Sequence, residues 1–105
     1  MPLYTFIMEF VGGTYVSQVN APSEKSACVK WAQSIKLSEI PGLGRNGKES
    51  LVKQMKDESP VALTNTVNAW CTGALIHGEH ALINVVRTER NSNGVSRKAN
   101  RRAAA

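Results

Sequence analysis

"YTFIMEFVGGTYVSQV", residues 4 to 19, carries the first decision about the fold. Tyr4, Phe6, Met8 and Phe10 alternate with Thr5, Ile7 and Glu9, the period of a strand with one strongly apolar face. Gly12-Gly13 follow, a pair suited to the positive φ angles of a two-residue hairpin turn. With those glycines as the turn, Phe10 pairs with Tyr15, Met8 with Ser17 and Phe6 with Val19. Glu9 and Val16, Ile7 and Gln18, and Thr5 and Asn20 then share the opposite face. One apolar and one mixed face predict an antiparallel hairpin packed on one side.

Downstream, Pro22-Ser23-Glu24 reads as a helix start, with Ser23 as cap and Glu24 near the positive end of the dipole. Ala27, Cys28, Trp31, Ala32 and Ile35 form one stripe, and Lys25, Lys30, Gln33 and Lys36 face away. The helix is expected to end near Lys36 and to lay its stripe, with Trp31 as core anchor, on the aromatic face of the hairpin. Residues 37–47 hold Pro41 and three glycines and read as a loop. Lys48 to Glu58 reads as a shorter helix with Leu51, Val52 and Met55 as its buried edge, stopped by Pro60.

From Val67 to Arg90 the pattern returns to strands, with a turn at His77-Gly78-Glu79-His80 and Gly78 as its first central residue. Ile76, Ala74 and Thr72 share a face with Ala81, Ile83 and Val85. Leu75, Cys71 and Val67 share the other with Leu82 and Val86. The expected fold is α+β: two antiparallel hairpins in one sheet, packed by an amphipathic helix and a short helix in ββααββ order. Helices can cover only one face of such a sheet. Leu75, Leu82 and Val86 are therefore candidate interface residues for a homodimer or a protein partner.

With 105 residues, 42% hydrophobic and 20% charged, the chain suits a single domain. No run of eighteen apolar residues suggests a membrane helix, and the N-terminus lacks the layout of a signal peptide. Two cysteines in different elements suggest reduced, buried residues, and cytoplasmic localisation follows as an expectation. The formal charge of +5 is unevenly placed. Residues 1–90 hold nine Lys and Arg against eight Asp and Glu, whereas 91–105 hold Arg97, Lys98, Arg101 and Arg102 with no acid. Residues 91–105 are expected to be a disordered basic tail, and the closing Ala103-Ala104-Ala105 carries no functional weight. Those four cations are the candidate nucleic-acid contacts, and without an aromatic residue nearby they offer only salt-sensitive attraction to phosphate.

"GLGRNGKE", residues 42–49, fits the dinucleotide pattern G-x-G-x-x-G and nearly fits a phosphate loop. A helix precedes it where a strand is needed, and Glu49 stands where a hydroxyl should hold magnesium. No cofactor is expected. A smaller possibility survives as an anion site at Arg45 and Lys48, beside free amides at a helix start. His77 and His80 would face each other across the second turn, a weak metal candidate without the four ligands of a structural zinc site. No nucleophile motif is present, and Cys71 among apolar neighbours reads as inert, so a non-enzymatic binding protein is expected.

The first 35 residues, through Tyr4, Gly13-Thr14-Tyr15 and Ala27, resemble the opening of HicB-type antitoxins. That resemblance implies a hairpin ahead of an amphipathic helix, and a nucleic-acid-associated or antitoxin-like regulator as the second functional reading. The chain departs from the pattern between Val19 and Ser23, where those proteins carry a Pro-rich segment and a third strand.

Overall fold

A computed structural model describes residues 1–88. The expected tail, with Arg97, Lys98, Arg101 and Arg102, lies outside the described residues. The elements in chain order are β1 (Leu3–Phe10), β2 (Gly13–Asn20), α1 (Glu24–Ser34), a 3-10 turn (Leu37–Glu39), α2 (Gly44–Asp57), β3 (Val61–Ala62), β4 (Ala69–Ile76) and β5 (Glu79–Thr88). The strands form one antiparallel sheet in the order β2-β1-β5-β4-β3, and both helices lie on one face. The two hairpins meet through β1 and β5, with Phe6 opposite Val85 and Met8 opposite Ile83. The fold is α+β, as the hydrophobic pattern predicts.

The first turn falls one residue earlier than expected. Val11 and Gly12 occupy it at φ 46° and 78°, the signs of a type I′ turn, and Phe10 pairs with Gly13. Met8 therefore faces Tyr15, Phe6 faces Ser17 and Tyr4 faces Val19. The Tyr15 ring explains the shift. It lies across Gly13 so closely that a Cβ there would sit 2.4 Å from the phenolic oxygen, so Gly13 serves as a strand residue under the ring. Moving a two-residue turn by one position shifts each pairing by two and leaves both faces intact.

Ser23 caps α1 by accepting from the Ser26 amide, while the Ser26 side chain accepts from the Ser23 amide. The buried stripe is the expected Ala27, Cys28, Trp31 and Ala32, followed by Ile35. Trp31 stacks on Phe6 with ring centroids 4.8 Å apart, and its Nε1 donates to the Ser17 hydroxyl at 3.0 Å. Leu43, Leu51 and Met55 of the second helical segment join Phe6, Met8, Ile76, Ile83 and Val85 in one core.

α2 begins at Gly44, inside the glycine-rich stretch, and not at Lys48. Gly42 and Gly44, both at positive φ, swing the chain into the helix. Gly47 lies buried where the helix meets the second hairpin. A Cβ there would stand 3.0 Å from His77 Nε2 and 3.1 Å from Ile76 Cγ2, so the glycine sets how closely α2 approaches β4.

The two helices run antiparallel and exchange lysines. Lys25, in the first turn of α1, donates to the carbonyls of Met55, Lys56 and Glu58 at the end of α2. Lys48, early in α2, donates 2.8 Å to the carbonyl of Ile35, the C-cap of α1. Each cation thus neutralises the negative end of the neighbouring helix. Lys25 is therefore engaged with α2, where its helical position alone had placed it facing away.

Candidate interaction surface

Because every helix packs on the inner face, the outer face of the sheet has no covering layer among the described residues. Its central row crosses all five strands as Val16, Ile7, Asn84, Cys71 and Val61. A second row runs Thr14, Glu9, Leu82 and Gly73, and a third runs Gln18, Thr5, Val86 and Ala69. Leu75 lies beside His80 at the hairpin end. The expected division of the second hairpin holds: Ala74, Ile76, Ala81, Ile83 and Val85 are buried, while Leu75 is 51% and Leu82 48% exposed. Val86 at 37%, Val16 at 62% and Val61 at 67% extend the apolar surface across the sheet. Val67 is not part of it, since it precedes β4 in a loop. Among the outer-face residues of these rows Glu9 alone is charged, and the Thr14 hydroxyl donates to its carboxylate.

The histidines do not converge. His77 and Gly78 occupy the second turn, at φ 53° and 79°, and Ile76 pairs with Glu79. That turn lies one residue earlier than expected, so His80 faces Leu75. His77 instead bridges to the start of α2, with its Nε2 2.8 Å from the Leu43 carbonyl. The tertiary contact, and not the dipeptide preference, positions the turn.

The two residues of the anion candidate do come together. Arg45 and Lys48 border a shallow depression with Gln33, Leu37, Glu49 and Val52. The Lys48 ammonium is held by the Ile35 carbonyl, and Glu49 brings a negative charge into the same depression. Lys48 keeps its charge and two further donors beside Arg45, but both face the Glu49 carboxylate in that depression.

Of the two thiols, Cys28 is buried in the core and burial pushes its pKa up to about 11, with nearby Lys25 partly opposing the shift. Cys71 is half-buried at the centre of the outer face, and its Sγ lies 3.9 Å from the Thr72 carbonyl.

The sheet's two edges are the features that pattern reading missed. On the β4 side, β3 pairs Val61 with Cys71, and the Leu63 amide donates to the Ala69 carbonyl at 3.0 Å. Farther along, the Gln54 side chain of α2 acts as a substitute strand: its Nε2 donates to the Leu75 carbonyl at 2.8 Å, and its Oε1 accepts from the Leu75 amide at 2.9 Å. On the β2 side no such partner exists among the described residues. The Phe10–Gly13 pair closes the hairpin, so Gly13, Tyr15, Ser17 and Val19 bond to β1. Thr14, Val16, Gln18 and Asn20 therefore aim their amides and carbonyls outward. Lys30 Nζ donates to the Asn20 carbonyl at 2.7 Å and closes that end. No helix among the described residues is long and apolar enough to cross a membrane.

No family model, curated protein or solved structure in the comparisons matches the chain.

Proposed function

We propose that this protein is a non-catalytic interaction protein whose outer sheet face docks onto another protein surface, either a second copy or a separate partner. One observation carries the reading: among the described residues, a five-stranded sheet has helices on one side only, and Leu75, Leu82 and Val86 are exposed on the other. A solvated sheet face is ordinary when polar residues fill it. Here each strand contributes an aliphatic side chain to that face, with Val16, Ile7, Leu82, Val86, Leu75 and Val61 set among Thr5, Gln18 and Asn84. Such contiguous apolar surface is the mark of a contact site.

The test is a charge placed in the surface. Leu82→Glu and Val86→Glu should each reduce association at least tenfold, read by sedimentation for self-association and by capture of co-purifying protein for a separate partner. Melting temperature should hold for Val86→Glu, whose side chain is outside the core, and fall slightly for Leu82→Glu, which sets a second carboxylate opposite Glu9. Association unaffected by both substitutions, or absent from the unmodified chain in both assays, would refute the reading.

A further inference from the structure

The open edge of β2 supplies a second contact, independent of the outer face. We propose that β2 pairs antiparallel with β2 of a second copy of this chain about a twofold axis at Val16, joining two five-stranded sheets into one. The hydrogen-bonding groups choose both the partner and the register. An added antiparallel strand must set outward-facing residues against outward-facing residues. On this edge those are Thr14, Val16 and Gln18, since the carbonyl of Asn20 is taken by Lys30. The antiparallel register that uses all three in both copies sets Val16 against Val16 and Thr14 against Gln18. Every open donor and acceptor of the three then has a partner.

The side chains agree with that register. Native sheets protect exposed edges with lysine, proline, bulges or very short strands. "GTYVSQVN" spans eight residues with no charged side chain and no proline, and its pairing to β1 runs without a bulge. No like charges would therefore meet on the strands at the axis. Inside the edge, a cavity of about 330 Å³ opens between β2 and the end of α1, lined by Thr14, Ser17, Trp31, Ser34 and Glu39 among others. Tyr15 of the second copy falls opposite Ser17, at the mouth of this cavity. Charge is complementary too. Lys30 stands at the Asn20 end of β2 and Glu39 toward the opposite end, so a twofold axis sets the Lys30 end of each copy against the Glu39 end of the other.

The outer face must be silenced for the test. The full chain carrying Leu82→Glu should show a light-scattering mass of two chains at high micromolar concentration. Adding Val16→Pro, or separately Thr14→Pro, should lower it to one chain with the circular dichroism spectrum unchanged. Both prolines remove an amide that points away from β1, a position where an edge strand tolerates proline. Oxidative cross-linking in a Cys71→Ser background reads the register. Val16→Cys should link to itself, because paired Cα atoms in a hydrogen-bonded position lie about 5.5 Å apart, within disulfide range. Thr14→Cys alone should not link, and Thr14→Cys with Gln18→Cys should. Should Val16→Pro fail to fold, Thr14→Pro and the cross-links still decide. A one-chain mass for Leu82→Glu at every concentration, a dimer indifferent to Thr14→Pro, or cross-linking by Thr14→Cys alone overturns the proposal. So does a monomer whose edge instead captures an unrelated extended peptide. An unmodified chain that forms the Val16-centred dimer alone, with no association sensitive to Leu82→Glu or Val86→Glu, would refute only the proposed function.

Discussion

The two edges of this sheet are built on opposite terms. The β4 edge is stopped twice, by the two residues of β3 and by the Gln54 amide on Leu75. The β2 edge is longer, uncharged and, among the described residues, closed only at its end, by Lys30. Unpaired strand edges invite foreign strands, and proteins usually guard against this. That guarding one edge required a helix side chain, while the other has almost nothing, makes the asymmetry informative: an open edge persists where pairing there is useful or harmless. The contrast also separates two routes to association, one through outer-face side chains and one through edge backbone.

The largest effect should come from removing the support behind the open edge. Trp31 stacks on Phe6 and bonds Ser17, tying β2 to the core. Trp31→Ala should cost about 3–5 kcal/mol, as large-to-small changes at buried aromatics do. Chemical denaturation measures it, and a loss below about 1 kcal/mol would mean that β2 is held by its ladder alone. Opening the closed edge should cost less. Gln54→Ala removes two hydrogen bonds to partly solvated backbone groups and should cost about 1–2 kcal/mol. Amide exchange sharpens the comparison further. The Leu75 amide should be protected in the native chain and lose that protection in Gln54→Ala. The Val16 amide should be exposed at low concentration and become protected as the chain concentrates. Equal protection of both amides at high dilution would remove the distinction between the edges.

The smallest effect is a pH dependence set by two buried groups of the core, Cys28 on α1 and Tyr4 on β1. Burial holds the Cys28 thiol neutral up to about 11, against 9.0 for a solvated thiol. Between those values the unfolded chain gives up this proton and the folded chain keeps it, so stability falls as pH rises through that window and is unaffected below it. Tyr4, raised by burial and by Glu24, adds in the same direction. Cys28→Ser should flatten the denaturation midpoint across pH 9–11 relative to the native chain. An unchanged slope would assign the effect elsewhere.

Much of this architecture was legible from residue order. The alternation in β1, the cap at Ser23, the stripe through Trp31 and the two-sided second hairpin each follow from a local period or a local hydrogen bond. Faces survived where registers did not, because a two-residue slip in pairing leaves every side chain on its own side. The weak sites fared differently. His77 and His80 are close in sequence, and Arg45 and Lys48 look like an anion pair, but His77 is drawn to Leu43 and Lys48 to Ile35.

Those partners lie far away in the chain, so no pattern in the sequence announces them. The same holds for Lys25 on the end of α2 and for Gln54 on β4. By itself the sequence determined the element types, the apolar faces and the excess of outer apolar surface, since those rest on periodicity. Only the tertiary structure decided which polar groups were consumed internally and which sheet edge stayed open. The physical reason is that a long polar side chain bonds whatever backbone the fold brings within reach, and that distance is not written in any local pattern.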